Sequence, residues 1–326
     1  MAALTGKKKD KTLAIVGNGF DLAHGYRTDY KSFVAHTADP SLDRFRELCE
    51  DEGGITTWYL FEENIGSLSA QLFQSSMAED ADYDAVRGKV AELKDTFQQL
   101  HPLLTRYLRD ETAKGPVRKL ASVKKYLKRR TKVLTFNYTD VVRAYTENIY
   151  YVHGSLSEEN ILLGYDARME PCLAGYDDIF WSKDIRREAL DFRRYLKEER
   201  GLEEGSPEYS SLISSMESYQ NWGNSGRGID DEVEAMIPDF SQVDGFFKRR
   251  GKRGEIPGVD FGRIRTIVVL GHGIEADRAF LTQMLRKCRH LKKVVIFRYD
   301  GESDSSFEEK AAFFRPYCKR IRTAWY

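Results

Sequence analysis

Short, unbroken apolar runs alternate along this chain with long stretches in which apolar residues recur every three or four positions. Four runs, Leu13 to Val16, Val133 to Phe136, Ile267 to Leu270 and Val294 to Phe297, are rich in Val, Ile and Leu. Such runs read as strands covered on both faces, because a half-exposed strand would alternate with polar residues. The first three end in small or polar clusters. Between the third and fourth lies a helical pattern, Phe280, Leu281, Met284, Leu285 and Cys288, of a length suited to a right-handed crossover, which predicts a parallel sheet. Two further runs, Ile149 to Val152 and Ile161 to Leu163, bracket Gly154 and Ser155 and read as a local pair or as edge strands of undecided orientation.

Two long segments carry helical spacing instead. Residues 58 to 110 place Trp58, Phe61, Ile65, Leu68 and Leu72, then Val86, Val90, Leu93, Phe97, Leu100 and Leu104 on apolar stripes, predicting a helical pair. Residues 170 to 260 hold an amphipathic stretch around Phe180, Ile185, Leu190 and Tyr195, then a Gly/Ser/Asn-rich run over 221–228 and a basic cluster over 248–253. A chain of 326 residues exceeds the usual size of one core unless it carries large insertions. The expected fold class is therefore α/β: one Rossmann-like parallel-sheet domain over 12–326, with core strands near 12–20, 132–165 and 264–300. A helical insertion over 40–130 and a helical and loop insertion over 170–260 interrupt it.

Composition narrows the partners. Lys plus Arg and Asp plus Glu both number 51, so no global field recruits nucleic acid or an anionic membrane, and such a partner would need a local patch. Cys49, Cys172, Cys288 and Cys318 are far apart with no C-x-x-C pair, which speaks for reduced residues and against a zinc ribbon or a secreted disulfide framework. The lysine-rich start lacks the apolar stretch of a signal peptide, and no segment approaches the roughly 20 apolar residues of a membrane span. A cytoplasmic protein is expected.

The candidate chemistry sits where the strands end. Gly17-Asn18-Gly19-Phe20-Asp21 follows the first strand, where bare backbone N–H groups can meet phosphate. It is neither G-x-G-x-x-G nor a Walker loop, and it reads equally as a tight strand-to-helix turn. Asn137, Thr139 and Asp140 follow the second strand and would face the same crevice in a parallel sheet. A helix N-cap by Thr139 or Asp140 is the simpler reading, but it leaves Asn137 unexplained. His153-Gly154 ends another run and supplies a candidate general base, or a structural histidine. Gly271-His272-Gly273 closes the fourth loop, with Asp277 as a helix-start carboxylate. His24 and His36 lack metal-site spacing, and no G-x-S-x-G serine elbow occurs, so neither a metal nor an acyl-transfer centre is expected. Arg118 to Lys132 carries eight basic residues and no acidic one, the pattern of a nucleic-acid patch or of a solvated face.

Taken in order, Leu13 to Gly25, Phe136 to Asp140, Val152 to Leu156, Leu163 to Asp166 and Gly271 to Ile274 with Asp277 resemble the motifs of the AbiH abortive-infection family of anti-phage proteins. That family in turn resembles the sirtuin (Sir2) fold, whose corresponding loops surround NAD. The resemblance implies a nucleotide site with NAD as substrate. Gly17, Asn18, Gly19, Phe20, Asp21, Thr139, Asp140, Gly154, Gly271, His272, Gly273 and Asp277 would bind it, Asn137 would hold the ribose or attacking water, and His153 would act as base. Phe136, Thr139 and Gly273 stand where sirtuins have glutamine, aspartate and serine, and the zinc cysteines are absent, so the resemblance implies NAD hydrolysis to nicotinamide and ADP-ribose rather than deacylation. The alternative is a non-catalytic nucleotide sensor, or a nucleic-acid-binding toxin using residues 118–132 and 248–253. A phage-derived trigger and self-assembly complete the implied partners, with no membrane among them.

Overall fold

The computed structural model describes residues 11–53, 82–159, 161–163, 183–198, 200–224 and 259–326, together with Phe61, Asn64 and Leu68. Six parallel strands, β1 (Thr12–Val16), β2 (Lys132–Thr135), β3 (Ile149–Tyr151), β4 (Thr266–Leu270), β5 (Lys293–Arg298) and β6 (Ile321–Trp325), form one sheet in the order β3-β2-β1-β4-β5-β6. The helices are α1 (Asn18–Ala23), α2 (Tyr30–His36), α3 (Pro40–Gly53), α4 (Tyr83–Thr112), the single turn α5 (Ala121–Lys124), α6 (Lys183–Glu198), α7 (Pro207–Asn224), α8 (Arg278–Lys287) and α9 (Asp304–Phe314).

Two compact units divide the chain: Met1–Asp29, Tyr107–Glu159 and Ile256–Tyr326 in one, Tyr30–Arg106 and Asn160–Glu255 in the other. The first holds the sheet. Its strands are continuous apolar runs because alternate residues serve two cores. Leu13, Ile15, Ile267, Val269, Val294 and Ile296 pack with Leu281, Met284 and Phe314 of α8 and α9. Ala14, Val16, Val268, Leu270, Val295 and Phe297 pack with Phe20, Val123, Val141 and Tyr145 on the opposite face. The parts of the β1–β2 and β2–β3 connections that belong to this unit thus cover one face and the connections between β4, β5 and β6 the other, as right-handed crossovers require when the winding direction reverses. The reversal lies between β1 and β4, which are paired from Thr12↔Thr266 to Val16↔Leu270. In doubly wound sheets that switch point is where ligands bind, outside the carboxyl ends of the strands.

The second unit is helical where it is described. Phe61 meets Phe33 and Phe45 edge-on at ring distances of 5.8 and 5.3 Å. α6 and α7 close on Phe192, Leu196, Leu212 and Met216. Phe180 and the basic cluster over 248–253 lie outside the described residues, as does most of 58–81. Residues 107–130, which their spacing placed with the first insertion, belong to the sheet unit. Of the two ambiguous runs, Ile149–Tyr151 pairs parallel with β2, whereas Ile161, Leu162 and Leu163 are buried without forming a strand. Among the described residues no helix is long and apolar enough to cross a membrane.

The switch point is closed by backbone against backbone. Gly17 N–H donates to Leu270 O at 3.0 Å and Gly19 N–H to Gly271 O at 2.9 Å. Gly271 has φ +65°, and a Cβ there would lie 2.1 Å from the Phe20 nitrogen. Gly271→Ala therefore combines left-handed backbone strain with a backbone collision, and an expected loss of about 2–4 kcal/mol in chemical denaturation. A Cβ at Gly273 would meet nothing within 4 Å. Gly273→Ala should stay within about 0.5 kcal/mol of the parent in the same measurement.

Candidate functional site at the carboxyl edge of the sheet

Four of the predicted loops meet at the switch point. After β1, Asp21 turns inward from α1 and is 1% exposed. Asn137, two residues past β2, donates from Nδ2 to Asp21 Oδ1 at 2.9 Å and to Gly17 O at 3.1 Å. Thr139 Oγ1 donates to Asp21 Oδ2 through a short hydrogen bond. Thr28 Oγ1 lies 2.5 Å from Asn18 Oδ1 and 3.4 Å from Asp21 Oδ2. A hydroxyl has one proton, so the shorter contact takes most of it and Asp21 receives only the weaker share. Burial drives the Asp21 carboxyl up from 3.8 to about 7, against the opposing hydrogen bonds from Thr139, Asn137 and Thr28.

The second cluster joins the loops after β3 and β4. Asp277 is held between two buried imidazoles, with His153 Nε2 at 2.9 Å from Oδ1 and His272 Nε2 at 3.3 Å from Oδ2. The Ile274 N–H donates to His272 Nδ1 at 2.9 Å, so Nδ1 is an acceptor and Nε2 carries the proton that faces Asp277. With Nε2 of His153 turned to the same carboxylate, its basic lone pair in the neutral form resides on Nδ1. Phe136 seals the cluster, its ring edge-on to His153 at 5.5 Å and His272 at 4.2 Å. In sequence between His272 and Asp277 lies Ile274, whose φ of 75° and ψ of −50° are rare and strained for a β-branched residue. Strain of this kind costs about 1–3 kcal/mol and gathers where a site must be shaped.

The clusters are contiguous through Gly17, whose carbonyl accepts from Asn137 and whose Cβ position is 2.6 Å from His272 Cα. Several assignments change as a result. The amide hydrogens of Gly17, Gly19 and Phe20, offered by the sequence to phosphate, are engaged with Leu270 O, Gly271 O and Gly17 O. Neither Thr139 nor Asp140 caps a helix: Thr139 serves Asp21, while Asp140 accepts from Tyr151 Oη and from Ser157 Oγ and precedes only a 3-10 turn over Val141–Ala144. Asp277 stands at the N-cap of α8 without a cap hydrogen bond from its side chain, which is directed to the histidines. Gly154, at φ +75°, is buried, and Gly273 is exposed.

Thr28 carried no signal before the fold was known, and neither did the pair His24 and Tyr145. His24 Nδ1 meets Phe20 O and Nε2 meets Tyr145 Oη, both at 2.7 Å. Burial lowers the His24 pKa against the raising influence of the Phe20 carbonyl. Among the described residues no group of three or more His, Cys, Asp or Glu side chains is arranged to hold a metal ion, and Cys49, Cys288 and Cys318 are buried free thiols.

Asp21 links this site to stability. Its folded pKa lies above its unfolded one, so its contribution is fully present below the unfolded value and is lost as pH rises through about 7. Asp21→Asn keeps the shape and cannot ionise. Melting temperature should fall less between pH 5 and pH 8 for this variant than for the parent, and equal falls would contradict the assignment.

A family model described as Bacteriophage abortive infection AbiH matches residues 13–299. No curated protein and no solved structure matches the chain. The family match runs through all four loops that build the site and covers far more than half of the sequence, and the chain belongs to the AbiH family of bacteriophage abortive infection proteins.

Proposed function

We propose that this AbiH protein acts in abortive infection by hydrolysing NAD at the carboxyl edge of its sheet, releasing nicotinamide and ADP-ribose. The observation that carries the reading is the buried group of His153, Asp277 and His272 beside Asn137 and Asp21, at the switch point where doubly wound sheets bind nucleotides. Likeness of the loop order to sirtuins adds to it.

The chemistry fits the charge. Cleavage of the nicotinamide bond builds positive charge at C1′, and carboxylates fixed in a buried site stabilise such a centre. A water oxygen bonds to C1′ while the C1′–N bond breaks, its electron pair neutralising the nicotinamide ring. The water proton passes to Nδ1 of His153, which Asp277 orients through Nε2. Asn137, both of whose Nδ2 hydrogens are engaged, presents Oδ1 to a ribose hydroxyl or to the water. In this reading Gly17 and Gly19 form the floor of the site rather than a phosphate cradle, and Asp21 is a positioning residue for Asn137.

Incubation of the protein with NAD, followed by chromatography of nicotinamide and ADP-ribose, tests the reading. His153→Ala and Asn137→Ala should each lower turnover about a hundredfold or more. Asp277→Asn should act in the same direction. Products absent from the parent reaction, or undiminished in these variants, would refute hydrolysis. NAD binding without turnover would leave a nucleotide sensor.

A further inference from the structure

The two edges of the sheet are oppositely charged, although the chain as a whole is neutral. The carboxyl edge carries Asp140, Glu158, Glu159, Glu275, Asp300 and Asp304 in and just beyond its loops, against Arg27, Arg143, Arg278 and Arg298. At the amino edge the balance reverses. Lys11 precedes β1, Arg130 and Lys132 enter β2, Arg265 precedes β4, Lys292 precedes β5 and Arg320 precedes β6. Arg129, Arg289 and Lys319 stand one to three residues further out, all exposed. Among the described residues the acids near this edge are Glu147 and Asp260, and Asp260 is paired with Arg263 at 2.8 Å.

These cations are not loosely strung on a flexible run. Arg265 N–H donates to Lys11 O and Lys292 N–H to Arg265 O, both at 2.9 Å, and Val294 N–H donates to Arg320 O at 3.0 Å. Arg129 O accepts from the Asn148 side chain at 2.9 Å. Lys11, Arg129, Arg265, Lys292 and Arg320 are thus tied to the start of a neighbouring strand, and with strands about 4.8 Å apart the row from β2 to β6 spans roughly 19 Å. Lys11, Arg130, Arg265, Lys292 and Arg320 are exposed, and none has a carboxylate partner among the described residues.

We propose that this amino-edge row is a docking surface for the phosphate backbone of double-stranded DNA. A row of cations set across the starts of five hydrogen-bonded strands matches a linear polyanion, and the guanidinium groups of Arg130, Arg265 and Arg320 suit phosphate. Among the described residues the exposed large apolar side chains, Leu22, Tyr299 and Trp325, lie at or beyond the carboxyl ends of their strands. The row therefore offers neither a stacking platform for unpaired bases nor a wedge for a lipid surface. It stands a strand length from the carboxyl-edge site, and does not depend on the NAD reading.

Fluorescence anisotropy with a labelled 20-base-pair duplex and the full chain, at 50 to 200 mM salt, tests the proposal. With about five phosphates contacted, affinity should fall roughly a hundredfold or more across that range. Arg265→Glu with Arg320→Glu should weaken binding at least about tenfold and flatten the salt dependence. Arg27→Glu with Arg278→Glu, of equal charge change at the other edge, should not. Should the first pair melt early, Arg265→Gln with Arg320→Gln must weaken binding in the same direction. Absent duplex binding at 50 mM, binding indifferent to both amino-edge pairs, tighter binding of the single strand, or binding only to phosphatidylserine vesicles would each overturn it.

Discussion

Everything at the carboxyl edge depends on the pairing of β1 with β4 and on the bare backbone contact it forces just beyond them. Because Val16 and Leu270 are in register, the two following loops leave the sheet side by side. Only glycine at 17 and 271 lets them close. Once closed, Gly17 sets the positions of both clusters: its carbonyl holds Asn137, and its α-carbon abuts the backbone of His272. From those anchors follow the orientation of Asp21 on one side and of Asp277 on the other. The site is a consequence of main-chain packing before it is a set of side chains.

Burial then supplies the electrostatics. Asp21 is surrounded by hydrogen-bond donors that favour its ionised form, yet removal from water outweighs them and leaves it near neutrality. The strained backbone at Ile274 is tolerated because its own N–H completes the hydrogen-bonding of His272 and its side chain is buried in the core shared with α8. Acidic residues around one end of the strands and basic strand starts at the other give the sheet two chemically distinct edges.

Much of the sheet was legible in the sequence, for a physical reason. β1, β2, β4 and β5 are buried on both faces and therefore appear as unbroken apolar runs. β6 is an edge strand, IRTAW, with an exposed arginine and tryptophan, and carries no such signal. Ile161 to Leu163 shows the converse, an apolar run buried outside any strand. The loops holding Asn137, His153, His272 and Asp277 were recognisable because each follows an apolar run. Their partners were not. That Asp21 meets Asn137 depends on residues more than a hundred positions apart, and Thr28 enters only because the turn after α1 brings it back over Asn18.

The central strand pair also dictates when the protein can become complete. β1 finds β2 after about 120 residues but must wait some 250 for β4, with both insertions in between. At ribosomal rates of roughly 5–20 residues per second, one edge of β1 stays open for tens of seconds. The loop after it has no floor until Gly271 arrives. Whatever chemistry the carboxyl edge performs is therefore withheld from every chain not yet extended past Asp277, a safeguard supplied by topology alone.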